Sequence, residues 1–236
     1  MLRSILFNIA FFGATTVLCL VSLPLMLLPR GAFMAMLAFY ARLVEGMLAV
    51  ICGLRVRVEG MENLPAGPVL IASKHQSAFD TVFWLSRLPD PCYVLKAELM
   101  KIPVWGWLAR HSKMVAVDRS GGASALKQMV RDAEAALADN RQIVIFPEGT
   151  RTAPGERVAY QPGVAALASA LKVAVVPVAT DSGLFWGRNA FAKRGGTLTV
   201  SVLPPIPAGT PRAALMRGLE EAIEAETARL LARPTA

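Results

Sequence analysis

His75 and Asp80 fall in the run VLIASKHQSAFD at 69–80, where an apolar strand gives way to a helix start. A carboxylate on one imidazole nitrogen fixes the tautomer and leaves the other nitrogen free to take a proton from a hydroxyl. The same spacing also has a structural reading. Ser77 can serve as the helix N-cap, with Asp80 three residues on reaching back to it and the histidine incidental. Both readings stand on this window alone. No GxSxG elbow supplies a nucleophile, so a His–Asp base here activates a substrate's own hydroxyl, with no acyl-enzyme. His111 has no carboxylate at a comparable spacing and reads as peripheral.

Cations gather after the other expected strands. In Phe146-Pro147-Glu148-Gly149-Thr150-Arg151, proline and glycine force a tight turn that exposes N–H groups, and Arg151 offers a planar fork for phosphate. Arg119 follows a strand and precedes Ser120-Gly121-Gly122 and a helix, whose N-terminus attracts anions. Lys96 ends a further strand. Each has a plain alternative: a surface turn, an N-cap beside a local Asp118–Arg119 pair, a solvated lysine. Three cations at strand ends near a His–Asp pair point to an anionic substrate.

Those strand ends must be brought together by the fold. Short β-rich runs are expected at 55–59, 69–73, 92–95, 114–117, 142–146, 173–178 and 197–202. Helical patterns alternate with them at 78–87, 104–110, 123–138, 163–171 and 212–232. Alternation of this kind predicts an α/β fold, a largely parallel central sheet flanked by helices. Ligands of such sheets bind beyond the carboxyl ends of the strands, where His75, Lys96, Arg119 and 146–151 are all expected.

Composition says where this domain works. Apolar residues make up 54% of the 236 and charged residues 18%, against about 25% charged in soluble proteins. The surplus lies in front. The run 5–28 is nearly uninterrupted and long enough to cross a hydrocarbon core of about 30 Å. A second apolar stretch, 31–53, carries Arg42 and Glu45 on one helical face, which suits a helix lying in an interface or packed on a partner. The first run is too long for a signal peptide and has no small-x-small site after it. The chain therefore divides into an N-terminal membrane-binding helical hairpin, 1–53, and a catalytic domain, 54–236. Arg3 and Arg30 flank the first segment on both sides and give no topology signal. A net charge of +8 calls for anionic partners. The absence of basic clusters with interleaved aromatics argues against nucleic acid, leaving membrane phospholipids and phosphorylated substrates. Cys19, Cys52 and Cys92 show no CxxC or metal spacing and read as reduced thiols in a cytoplasmic setting.

These motifs, in this order, resemble the lysophospholipid acyltransferases, and within them the bacterial 1-acyl-glycerol-3-phosphate acyltransferases. The matching features are HxxxxD (His75 to Asp80), the strand ending in Asp118-Arg119, FPEGTR (Phe146 to Arg151), Val176-Pro177-Val178, and Lys96 in Lys-Ala-Glu-Leu. The resemblance covers roughly 55–205, and the N-terminal helix pair is similar to the family's membrane-docking segment. It implies His75 as general base and Asp80 as its orienter. It implies that Arg119, Glu148, Gly149, Thr150 and Arg151 bind the glycerophosphate together with Lys96, and that Pro177 borders the acyl or acceptor site. The donor is implied to be an acyl-CoA or acyl carrier protein thioester, with no cofactor and no metal. The setting is implied to be a bacterial inner membrane with the catalytic domain on the cytoplasmic side. Other acceptors (glycerol-3-phosphate, another lysophospholipid, a lyso-ornithine lipid) and a non-catalytic lipid-binding protein are the alternatives. Two positions depart from the family pattern: Lys74 stands where asparagine is usual and Lys113 where glycine is usual. This implies a changed backbone or an added positive charge near the acceptor, and bears on the acceptor's identity, not on the chemistry.

Overall fold

The computed structural model describes residues 1–118 and 120–233. Its strands are β1 (Leu54–Glu59), β2 (Val69–Ser73), β3 (Pro91–Lys96), β4 (Val115–Val117), β5 (Gln142–Ile145), β6 (Val175–Thr180) and β7 (Gly196–Val202). They form one seven-stranded sheet in the order β1-β7-β6-β2-β5-β3-β4. From β6 through β4 all neighbours are parallel, while β7 runs antiparallel to β6 and carries β1 parallel to itself. The expected largely parallel α/β sheet is present. The helices are α1 (Leu2–Leu25), α2 (Arg30–Met47), α3 (Phe79–Arg87), α4 (Trp105–His111), α5 (Gly122–Ala138), α6 (Gly163–Leu171), α7 (Ser182–Phe185) and α8 (Arg212–Leu231).

Strand β2 sits centrally with all five residues buried, as a parallel strand covered on both faces must be. Its side chains divide by the period of two. Val69 and Ile71 join a core with Tyr40, Val44 and Phe83, from α2 and α3. Leu70 and Ala72 join the opposite core with Ala133, Val164 and Leu219, from α5, α6 and α8. That alternation continues past the end of the strand and decides where the next two residues point.

The N-terminal helices lie against the α3 side. Phe7, Ala41 and Leu48 are fully buried in the same core as Ile71, and side chains so buried contribute about 1.5–3 kcal/mol each. Polar contacts fix the arrangement. Arg30 pairs with Asp90, which also meets Arg141 at 3.1 Å, and Lys193 donates to Asn8 at 2.7 Å. Of Arg42 and Glu45, which share one face of α2, Glu45 reaches a longer-range partner. Glu45 takes Arg87 of α3 at 2.6 Å, because α2 packs on α3 and that guanidinium lies within reach, while Arg42 stays exposed. Outward, α1 leaves Leu2, Ile9, Phe12 and Leu20 between 63% and 70% exposed. A row of greasy side chains along a 24-residue helix, about 36 Å long at the standard rise, marks a membrane-associated surface.

Candidate active site

His75 leaves β2 on the α3 side, following Ser73, whose hydroxyl takes the Trp84 indole N–H at 3.4 Å. Its Nδ1 lies 3.1 Å from Asp80 Oδ2. The same oxygen accepts the Gln76 N–H at 2.7 Å and the Ser77 N–H at 2.8 Å. Ser77 Oγ in turn accepts the Phe79 N–H at 3.1 Å. The N-cap of α3 is Ala78, one residue past the expected Ser77, because Asp80 Oδ2 is taken up by the two N–H groups of the turn that precedes the helix. The bonds that fix this turn also aim the carboxylate at the imidazole. With the ring proton on Nδ1, the Nε2 lone pair is left for a substrate.

The turn after β5 holds the histidine from behind. Phe146 stacks on the imidazole at 4.0 Å between centroids. The Phe146 carbonyl accepts the Gly149 N–H at 2.9 Å, closing the expected tight turn, and Gly149 takes φ +68°, where a side chain is strained. Thr152 donates both its N–H, at 2.8 Å, and its hydroxyl, at 3.2 Å, to the His75 carbonyl.

In front of the ring lies a pocket of about 560 Å³, within the usual range for small-molecule sites. Its apolar walls include Phe11 and Leu18 of α1, Leu37 of α2, Val82 and Leu85 of α3, and Trp105 of α4. The hydroxyls in these walls are partnered: Thr15 with Tyr40 at 2.7 Å, and Tyr93 with the Thr81 carbonyl at 2.8 Å. What remains for a ligand there is mostly carbon. Lys96, Gly149, Thr150 and Arg151 line the same pocket as His75. The chamber is thus apolar with cations at the strand-end rim, and it suits a molecule with an anionic head and a hydrocarbon tail.

Four sequence-derived positions, Glu148, Pro177, Lys74 and Lys113, fall elsewhere. Arg119 lies outside the described residues. Glu148 turns inward, 2% exposed, with Oε1 at 3.1 Å from Lys74 Nζ and 3.4 Å from the His75 N–H. Burial raises its pKa more than Lys74 lowers it. Pro177 is buried inside β6, paired in register with Ala72 and outside the pocket lining. Lys74 adds no charge near the pocket, because the alternation of β2 sends it to the α8 side, where it is sealed between Glu148 and Glu224. Lys113 precedes β4, at the end of the sheet opposite His75. There it takes φ +51°, a backbone suited to the usual glycine, and meets Asp139 at 3.2 Å.

A family model described as acyltransferase matches residues 55–181. The chain belongs to the acyltransferase family. A 1-acyl-sn-glycerol-3-phosphate acyltransferase from Pseudomonas aeruginosa is 36% identical over 176 residues, 74% of this chain and 68% of that protein. The Saccharomyces cerevisiae enzyme of that name is 32% identical over 70% of this chain, and the human alpha enzyme 30% over 66%, each matched over 56% of its own length. The crystal structure of the 1-acyl-sn-glycerophosphate acyltransferase from Thermotoga maritima shares the fold, with a TM-score of 0.81 at 22% identity over 100% of this chain and 99% of that one.

The motifs assign no role to three features of the surroundings of His75. Phe146 stacks on the His75 ring; it opens the FPEGTR run, and its place there as the last apolar residue before the turn is the available signal for that contact. The α1 and α2 wall of the pocket has no polar mark at all. Glu224 looks like one more solvated carboxylate of α8. The signal for it is indirect: a lysine directly after a fully buried strand needs an anion.

Proposed function

We propose that this acyltransferase moves a fatty acyl group from an acyl-CoA or acyl carrier protein thioester to the sn-2 hydroxyl of 1-acyl-glycerol-3-phosphate, giving phosphatidic acid. The observation that carries this is the His75 ring held on Asp80 at one edge of an apolar pocket whose rim bears Lys96 and Arg151. Relatives bearing the name of that activity support the choice of acceptor.

His75 Nε2 removes the acceptor's hydroxyl proton as its oxygen attacks the thioester carbon. The tetrahedral adduct collapses, the carbon–sulfur bond breaks, and the imidazolium returns the proton to the departing thiolate. Asp80 fixes the tautomer and balances the transient imidazolium charge. Arg151 and Lys96 hold the phosphate, with Arg119 added by the family resemblance, while Gly149 and Thr150 shape the turn beside them. Glu148 serves through the backbone of His75. The exposed face of α1 keeps the pocket at the bilayer, in the bacterial setting at the cytoplasmic leaflet of the inner membrane.

The test is thioester consumption by purified protein with lysophosphatidic acid, compared with glycerol-3-phosphate, other lysophospholipids and a lyso-ornithine lipid. The reading requires phosphatidic acid as the product and lysophosphatidic acid as the preferred acceptor. A rate that ignores lysophosphatidic acid refutes it.

A further inference from the structure

Glu224 lies 150 residues from Lys74 and outside the family match, yet the Lys74 ammonium donates to its Oε1 at 2.6 Å. Tyr160 donates to the same oxygen at 2.9 Å. On its other side Lys74 meets Glu148 Oε1, the atom that also accepts the His75 N–H. Lys74, Glu148 and Glu224 are all buried, and Arg157 approaches Glu224 at 3.9 Å from the surface. A buried ammonium that loses one of two anions draws closer to the other or gives up its charge. Either outcome moves Glu148, and with it the N–H of the base. Geometry adds a second route. Lys74 and His75 leave the strand on opposite faces, so fixing Lys74 on α8 fixes the direction of the imidazole.

We propose that Glu224 is a positioning residue for His75, acting through Lys74 and Glu148. The inference rests on reading His75 as the catalytic base. Glu224 is outside the pocket lining, so it acts on the orientation of the base and leaves substrate binding alone.

The Glu224→Gln variant keeps the shape and removes the charge. The expected result is a fall in kcat of about tenfold or more, with KM for both substrates within twofold of wild type and a melting temperature well above that of the assay. An effect of this size matches the loss of a partner that orients a functional group. The chain has two histidines, so ring ¹⁵N resonances of the detergent-solubilised protein report His75 with His111 as internal control. In the variant the His75 ring resonances move, because a displaced Glu148 carries the His75 backbone N–H with it and resets the imidazole on Asp80, while those of His111 stay. A kcat within twofold of wild type overturns the proposal. So does a loss explained by unfolding, or His75 ring resonances that do not move. Should Glu224→Gln not fold, Glu224→Asp, which keeps the charge but withdraws it, is held to the same outcomes. The resonance readout needs no substrate, so an error in the proposed reaction shows separately, as a wild-type enzyme that does not turn over.

Discussion

Lys74 and His75 are neighbours in the chain and opposites in environment. The imidazole opens onto a pocket, with 13% of its side chain exposed, while the ammonium is sealed at 0% between two carboxylates. One strand exit therefore serves two environments, a pocket on the α3 face and a sealed ion cluster on the α8 face. The period-two alternation of β2 is what separates them. A group that must exchange protons with a substrate has to stay partly open, whereas a buried cation is tolerable only when fully paired.

The comparison breaks most sharply at the open face. His75→Ala is expected to lower acyl transfer by about 10²–10⁴-fold, with melting temperature and membrane attachment unchanged. Retention of more than a small fraction of activity defeats the assignment. Asp80→Asn ranks beside it, with a loss of up to about 10⁴-fold in kcat through a misdirected tautomer. Asp80→Ala should in addition lose about 1–3 kcal/mol of stability, because the same oxygen accepts two backbone N–H groups of the turn into α3; equilibrium unfolding in denaturant separates the two effects. Arg151→Gln should raise KM for a phosphate acceptor about tenfold, the worth of one charge-assisted contact, and an unchanged acceptor dependence removes Arg151 from the phosphate site.

The smallest effect on turnover is expected from Asp181, just past the end of β6. It accepts the Thr199 N–H at 2.7 Å, and burial pushes its carboxyl up to about 6. The folded state then holds this proton more tightly than the unfolded chain. The penalty is absent below the unfolded value near 4, grows as pH rises toward about 6, and is complete above it. Asp181→Asn should therefore stabilise the protein by up to about 3 kcal/mol at pH 8 and leave it unchanged at pH 3. Thermal melts at the two pH values check the sign.

Much of this was legible because local signals agreed. β2 occupies its expected range, since Val69–Ala72 is wholly apolar and lies between Pro68 and Lys74. α6 likewise matches, entered through Pro162-Gly163 and closed by Lys172 in the left-handed conformation. β6 lies two residues further on than expected, at Val175–Thr180, because Val173 looks like a strand residue while Thr180 and Asp181 look like a turn. The reversal of β7 and β1 was not readable, because apolar runs carry no direction. The paired His75 and Asp80 could be found because cap spacing is local. Glu224 could not, because its partner is set by the packing of α8 on β6. The pocket was invisible for a related reason: its walls are ordinary apolar residues of helices that already had another explanation.

Helix α1 presents Phe11 and Leu18 to the chamber and Ile9, Phe12 and Leu20 to the outside. A single helix thus separates the pocket from the surroundings. If the surroundings are lipid, an acceptor can reach the base without entering water, and encounters occur in two dimensions. The governing variable then becomes the mole fraction of acceptor in the surface. Diluting vesicles with inert phospholipid at fixed bulk acceptor should slow the enzyme, whereas diluting the whole suspension of enzyme-bearing vesicles should leave turnover per enzyme unchanged.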